Sequence, residues 1–242
     1  AARIAELAGR CIIECPDKLI PLFKRSFPNI EVRAINRDND LAREDFDVHM
    51  PMGSIYRHFV KSSDEYLNAE AFLKPDPTKV RYWQDRLQAM GKGPFIGINW
   101  KSSLMSAERM HNYAPTSAWS NLITENGFTF INLQYSNFSN DLKFFREKYG
   151  VSVHNFDDLD HLNDLDGVAA LCAALDTVVS TIGSVPLISA GVGTPTKLAM
   201  WSQSPWNNIL FHPVGPLVQI YEKNSCTTWD EIFTHIANDL KI

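Results

Sequence analysis

The chain has 242 residues, with 23 Lys and Arg against 28 Asp and Glu, so its formal net charge at pH 7 is -5. Apolar residues make up 45% and charged residues 21%, which is typical of a soluble globular protein with a buried core. No apolar run reaches the roughly 18 residues that suggest a membrane-spanning helix. The slightly acidic balance argues against a duplex nucleic-acid binder, which normally carries a basic face.

The first part of the chain alternates between strands and helices. Residues 1–8 favour a helix but have no N-terminal cap, which predicts that the chain starts inside a helix and that an earlier part of this unit is absent. The elements that follow are predicted as strands over 10–15, 29–35 and 46–52 and helices over 16–26 and 54–59. This alternation predicts an α/β layer on a parallel sheet.

A change of composition separates this part from the rest. Pro75 and Pro77 lie within three residues and interrupt regular structure, so we predict a linker over 64–77 between units over 1–63 and 78–242. A second alternating series follows the linker. Its predicted elements are helices over 78–90, 116–125, 140–149, 164–175, 185–190 and 228–240, and strands over 95–100, 128–133, 151–156, 177–181 and 196–201.

The four cysteines do not indicate a disulfide framework, because they are few and scattered. Cys11 and Cys15 alternate with apolar residues and are predicted to pack in a core. A reduced, cytoplasmic setting fits this usage. No CxxC pair or histidine spacing indicates zinc, and no metal site is predicted.

The loop after the predicted strand 95–100 is rich in groups that bind anions. It contains Lys101, Ser102, Arg109 and His111, and loops at the carboxyl ends of strands are where α/β sheets bind ligands. Lysine and arginine neutralise phosphate charge, and hydroxyl groups donate to its oxygens. The alternative is a solvated surface loop.

A second candidate loop follows the predicted strand 177–181. Gly183 and Ser184 precede a predicted helix, whose free N–H groups and dipole favour a phosphate. The P-loop pattern and the dinucleotide GxGxxG fingerprint are both missing. Close packing of a helix on the sheet explains the small residues equally well.

Two other patterns bear on possible chemistry, a cluster of carboxylates and the serine turn of hydrolases. The carboxylates Asp157, Asp158, Asp160, Asp164 and Asp166 could bind a divalent cation, but a charged loop with helix caps at Asp164 and Asp166 is the favoured interpretation. A Ser-His-Asp hydrolase of the α/β type needs a GxSxG turn, and none occurs.

The order of several segments resembles a known family. The segments are 10–28, 46–54, Tyr66, 73–76, 96–101, 130–134, 169–180 and 204–206 followed by an aromatic-containing strand and a final helix. In this order they resemble the heptosyltransferase-like glycosyltransferases (glycosyltransferase family 9), particularly the form found downstream of tetratricopeptide repeats in bacterial proteins.

The resemblance implies a GT-B fold, in which two Rossmann-like domains face each other and the first is truncated here. It implies sugar transfer from a nucleotide-diphosphate sugar, inverting and without a metal or other cofactor, to a protein or glycan acceptor. Donor-binding positions transferred from the family pattern are Trp100, Lys101, Arg109, Thr181, Gly183 and Ser184, with Gln134 on the nucleoside side. Ser102 and His111 share the basic loop with them.

Two departures from the family pattern bear on catalysis. The family's late loop usually carries an aspartate and a histidine where this chain has Ile182 and Leu187, and those side chains cannot exchange hydrogen bonds. The family's general base belongs to a segment that would precede Ala1, so no catalytic residue is assigned. Asp47 and His49 are conceivable substitutes, although His49 fits a packed strand residue equally well. A non-catalytic nucleotide- or sugar-binding module is therefore the alternative function, and a purely structural domain is a third.

Overall fold

Two parallel sheets organise the parts of the chain that the computed structural model describes, which are residues 2–35, 45–59, 70–102, 110–202 and 217–241. The predicted residues Tyr66, Arg109 and 204–206 lie outside the described residues. The elements of the first part are α1 (Ala2–Ala5), β1 (Ile12–Cys15), a 3-10 turn (Asp17–Leu19), α2 (Ile20–Ser26), β2 (Glu31–Ala34) and α3 (Met52–Phe59).

The second part contains the larger set of elements. They are α4 (Pro77–Met90), β3 (Phe95–Asn99), a 3-10 turn (Thr116–Trp119), α5 (Ser120–Ile123), β4 (Thr129–Asn132), α6 (Ser139–Tyr149), α7 (Leu165–Ala174), β5 (Thr177–Ser180), α8 (Ser184–Gly191), β6 (Thr196–Trp201), β7 (Val218–Lys223) and α9 (Trp229–Asp239).

The small sheet pairs β1 with β2 in parallel, with Ile13 opposite Val32. Alternate residues of both strands face a cluster that includes Cys15 and side chains of α2. Cys11 packs against the same cluster, so the predicted packing role of Cys11 and Cys15 is confirmed.

The large sheet has the strand order β4-β3-β5-β6-β7, and every pair is parallel. A single bridge between His154 and Ile131 extends the sheet by one residue beyond β4. When β3, β4, the His154 bridge, β5, β6 and β7 are numbered 1 to 6 in chain order, their order across the sheet is 3-2-1-4-5-6. This is the strand order of a doubly wound Rossmann sheet. The strand order reverses between β3 and β5.

Helices cover both faces of this sheet, which explains why β3 is buried at all five positions and is apolar up to its last residue, Asn99. On one face Trp119 stacks against Phe233 of α9, with ring centroids 4.3 Å apart. On the other face Trp83 of α4 packs near Phe156, at 4.9 Å.

The two parts of the chain are joined through α2 and α7. Leu22, Leu73 and Ile188 share one apolar cluster. Beside it, Arg25 forms an ion pair with the buried carboxylate of Asp166, and Lys79 lies 3.1 Å from the other oxygen of that carboxylate. The described part of the predicted linker is thus held against the large sheet's helices.

Two predicted strands are absent from the structure. Residues 46–51 form no strand, and their side chains, including His49, are exposed, so the prediction of a packed strand here is wrong. Alternating apolar residues need a neighbouring strand for their backbone hydrogen bonds, and none pairs with this segment among the described residues. The predicted strand over 151–156 is reduced to the His154 bridge.

Two helices begin at or next to their predicted first residues and have side-chain caps. Asp76 caps α4 by accepting hydrogen bonds from Thr78 and Lys79, and Thr228 forms a capping box with Glu231 at the start of α9. Among the helices of the described residues, none is long and apolar enough to cross a bilayer.

Candidate functional site

The candidate site lies where the carboxyl ends of β3 and β5 diverge, since ligands of open α/β sheets bind at this reversal of strand order. The two strand ends are tied together there. The N–H of Thr181 donates to the carbonyl oxygen of Asn99 at 3.0 Å, and the Ser180 hydroxyl donates to the Asn99 side chain at 3.2 Å. The loops that follow both strands therefore start from a fixed point.

Gln134 organises this point from the end of β4. Its Oε1 accepts hydrogen bonds from Asn99 Nδ2 and from the backbone N–H groups of Trp100 and Lys101 at 3.0–3.2 Å. Its Nε2 donates to the carbonyl oxygen of Lys101 at 2.9 Å. The residue is fully buried, so its side chain holds the start of the basic loop. A position on the nucleoside side of a donor, which the resemblance implies for Gln134, stays a prediction.

Asp141, in the first turn of α6, is a site residue that the sequence did not identify. Its carboxylate accepts a hydrogen bond from Trp100 Nε1 at 2.8 Å and one from the hydroxyl of Thr116 at 3.4 Å, and it forms an ion pair with Lys101. The dipole of α6 also favours a negative charge at this end. A carboxylate at a predicted helix start was visible in the sequence, but its distance from Lys101 was not.

The predicted residues of the basic loop thus have different surroundings. The Trp100 ring is buried in the core against Phe145, so it supports the loop that begins the site. The Lys101 side chain is 25% exposed beside Asp141 and can still reach a ligand. Ser102 lies within hydrogen-bond distance of the Tyr135 hydroxyl, at 3.0 Å.

The loop after β5 leads into the N-terminus of α8. Gly183 precedes the helix, and a Cβ placed on it would meet no atom within 4 Å, so the backbone is open at this position. Ser184 is exposed, and no side chain caps the helix. The first N–H groups of α8 and the Lys101 ammonium thus come from the two strand ends that flank the reversal point.

Three loops at this edge contain buried polar atoms that need a partner. Among the described residues, Asn112 Oδ1, Ser136 Oγ and Thr181 Oγ1 have none. They belong to the loops that follow β3, β4 and β5 respectively. A buried polar group left unpaired costs about 1–3 kcal/mol, which indicates that water or a polar ligand completes these loops.

Apolar side chains fill the positions where the resembled family carries its aspartate and histidine. Ile182 is 8% exposed and packs with Tyr113, Leu198 and Met200, and Leu187 packs against the same cluster. This part of the loop is a piece of the core.

Two aromatic rings lie at the far side of the same edge. The exposed ring of His111 and the half-buried ring of Trp201, the last residue of β6, have centroids 5.3 Å apart with their planes at 37°. His111 was predicted as a site residue, whereas Trp201 was not.

The acidic cluster after residue 156 serves local structure. Asp164 caps α7 by accepting from the N–H of Gly167 at 2.8 Å, as predicted. Asp166 was predicted as a cap and instead pairs with Arg25 and Lys79. Arg86, with the Tyr82 hydroxyl, lowers the pKa of Asp158 to about 2. Within the described ranges, no group of three His, Cys, Asp or Glu side chains could hold a metal ion.

His161 provides a pH-dependent test of folding. Burial lowers its pKa below the ordinary value of 6.5, because neither ring nitrogen has a partner within the described part of the chain. The unfolded chain therefore binds a proton more readily, and stability should fall as pH decreases below about 6.5. We expect urea unfolding between pH 7.5 and 5.5 to show a smaller loss of stability in His161→Leu than in the wild type. Parallel losses would contradict this origin.

Comparisons with known proteins give one relative in sequence and several in fold. No protein-family model matches the chain. Protein FlbA of Caulobacter vibrioides is 30% identical over 237 residues, covering 93% of this chain and 40% of FlbA. The structure of the E. coli ADP-heptose LPS heptosyltransferase II is 14% identical with a TM-score of 0.50, covering 70% of this chain and 53% of that chain. The glycosyl transferase family 9 structure from Veillonella parvula is 13% identical with a TM-score of 0.49, covering 70% and 45%.

The match to heptosyltransferase II establishes the fold. Together with the parallel sheets, it confirms the predicted α/β architecture of GT-B type and the resemblance to heptosyltransferases at the level of the fold. The chain spans 40% of the length of FlbA and 53% of that heptosyltransferase.

Proposed function

We propose that this chain binds a nucleotide sugar at the carboxyl edge of the large sheet and takes part in glycosyl transfer. The observation that supports this most directly is that Lys101 and the open N-terminus of α8 follow β3 and β5, the two neighbouring strands between which the strand order reverses. An ammonium group and a helix N-terminus both attract phosphate, and α/β sheets bind phosphate groups at such places. The GT-B fold is consistent with this ligand class.

In this proposal the donor phosphates lie between Lys101 and the backbone at Gly183 and Ser184. The ammonium of Lys101 has three N–H donors, and its contact with Asp141 leaves others for a phosphate oxygen. When the hydroxyl of an acceptor attacks the anomeric carbon, its proton passes to a base that is not assigned in this chain, and the bond from that carbon to the donor phosphate breaks. Negative charge then grows on the leaving phosphate, where Lys101 and the helix N-terminus would stabilise it.

The finer features of the proposal come from the resemblance. Inversion at the anomeric carbon, a diphosphate in the donor, independence from metal and a protein or glycan acceptor are proposed on that basis. An association with upstream tetratricopeptide repeats is proposed in the same way. The chain spans 40% of the length of FlbA, so these features are proposals about a whole protein's activity.

A second function, binding without transfer, is favoured by one specific observation. Ile182 and Leu187 are packed in an apolar cluster, so neither position offers a group for proton transfer or phosphate binding. The two functions differ in turnover. Slow hydrolysis of the bound donor, lost in Lys101→Ala, would support transfer, whereas tight binding without turnover would support the binding module.

Calorimetric titration with nucleoside mono- and diphosphates and with the matching nucleotide sugars tests the proposed site. For a ligand that binds, Lys101→Ala should weaken the affinity roughly 10- to 100-fold, because a hydrogen-bonded ion contact is lost. EDTA should leave the affinity unchanged.

The control for this titration is Lys143→Ala. Lys143 is exposed on α6 and pairs only loosely with Glu147, at 3.7 Å, so its removal should change the affinity by less than about twofold. If no nucleotide or nucleotide sugar binds the wild type, or if both lysine variants bind as the wild type does, the proposed site is wrong.

A further inference from the structure

The aromatic pair at the end of β6 has no evident role in packing the sheet. Trp201 belongs to none of the apolar clusters formed by the described residues, although it is the last residue of a buried strand. Trp201 is half-buried, and its ring neighbour is the imidazole of the exposed residue His111. A large apolar ring kept at a surface edge, beside a loop that begins a candidate site, is typical of a ligand contact.

The strand order fixes where this pair lies relative to the proposed phosphate position. Along the edge the strands run β4, β3, β5 and β6, so the reversal point is flanked by β4 on one side and by β6 on the other. Neighbouring strands are about 4.8 Å apart, and the distance from β4 to β6 is therefore about 14 Å. An elongated ligand that lies along this edge with its phosphates at the centre has its two ends near β4 and near β6.

The side chains at the two ends of this line differ. At β4 the fully buried Gln134 and the Ser102–Tyr135 contact form a polar border. At β6 the border is made of the two aromatic rings. Gly183, at the phosphate position, leaves the backbone uncovered. Among the described residues, the β6 end presents two rings side by side, whereas the ring at the β4 end, Tyr135, has its hydroxyl in contact with Ser102.

We propose that Trp201, assisted by His111, forms the wall of the subsite that holds the sugar of the donor. This inference rests on the proposed function, because it needs the phosphates to lie at the reversal point. A pyranose ring has an apolar face of C–H groups and a rim of hydroxyls, and the electron-rich face of an indole attracts such C–H groups. Asn112, next to His111 in the chain, brings a carbonyl oxygen that has no partner among the described residues to the same corner.

Comparison of nucleotides with nucleotide sugars tests this assignment. The probes are UDP, GDP, ADP, CDP and CMP and one commercial sugar conjugate of each, titrated into wild type, Trp201→Ala and Trp201→Phe. For the conjugate that binds, we expect Trp201→Ala to weaken affinity about fivefold and Trp201→Phe to weaken it less, because phenylalanine keeps a ring face. The affinity for the same nucleotide without its sugar should stay within about twofold of the wild type.

A matched control removes another half-buried tryptophan of the same domain. Trp229 packs on Phe233 of α9, and not on His111, so Trp229→Phe should leave both affinities unchanged. Circular dichroism establishes that each variant is folded, and Trp201→Phe provides the comparison if Trp201→Ala does not fold.

The outcomes separate this inference from the proposed function. An equal loss for nucleotide and conjugate, or no loss for either, would overturn the sugar subsite while leaving nucleotide binding intact. Absence of binding by the wild type would instead overturn the proposed function, and the subsite with it. A loss confined to the conjugate, with Trp201→Phe between wild type and Trp201→Ala, supports the assignment.

Discussion

Gln134→Ala is expected to lower the free energy of unfolding by about 3 kcal/mol, since it leaves several buried hydrogen-bonding groups without a partner. Gln134 Oε1 accepts from Asn99 Nδ2 and from two backbone N–H groups, and Nε2 donates to the carbonyl oxygens of Lys101 and Ser136. These groups belong to the end of β3 and to the loops that follow β3 and β4, which begin the candidate site. The loss should therefore affect stability and ligand affinity together.

Urea unfolding of Gln134→Ala and of a matched variant, Gln88→Ala, measures the effect. Gln88 is exposed on α4, so its truncation should change stability by no more than about 0.5 kcal/mol. Gln134→Glu preserves the shape of the side chain but places a carboxylate oxygen against two carbonyl oxygens, and it should also destabilise the fold. A Gln134→Ala protein as stable as Gln88→Ala would show that the loops are held by other contacts.

The elements that the sequence predicted well are those whose signals are local. The helix predicted over 78–90 is observed as Pro77–Met90, because an aspartate cap and a proline mark its start. The strands at the centre of the large sheet were recognised as short apolar runs, which is how strands buried on both faces read. Because each candidate loop follows a predicted strand and precedes a predicted helix, the sequence also predicted that these loops lie at the carboxyl edge of the large sheet.

The signals that failed depend on a distant partner. The alternation over 46–52 has the period of a strand, but a strand forms only where another one accepts its hydrogen bonds. The segment over 151–156 meets β4 at one residue, so it is a bridge and not a strand. The composition of both segments is compatible with a strand, but whether a strand forms depends on a neighbouring strand that supplies hydrogen bonds along its length.

The interior of the candidate site was not predictable for the same reason. The basic loop was identified from its own residues, whereas the position of Lys101 is set by Asp141, 40 positions later. Likewise, Gln134 was assigned to a ligand because the resemblance placed it at the edge, but it is committed to the backbone of the neighbouring loop. A sequence shows which groups are present, and their mutual contacts require the fold.

The loop after β5 bears directly on catalysis. In the resembled family an aspartate stands at the position of Ile182, and one could expect that introducing it would introduce chemistry. Here the side chain packs in an apolar cluster with Tyr113, Leu198 and Met200. The apolar residue is thus matched to these neighbours, and a carboxylate at this position would be buried among them.

Ile182→Asp is therefore expected to lower the free energy of unfolding by about 3–5 kcal/mol, because it buries a carboxylate without a partner. Ile182→Val is the matched control and should cost about 0.5–1.5 kcal/mol, since it removes one methylene group from the same cluster. Urea unfolding of both variants at pH 7.5 and pH 5 measures the effect. The difference in free energy of unfolding between Ile182→Asp and Ile182→Val should shrink at pH 5, because the carboxyl group is neutral more of the time there. If Ile182→Asp were as stable as Ile182→Val and gained donor hydrolysis, the loop would be an open catalytic position and the binding-module function would lose its main support.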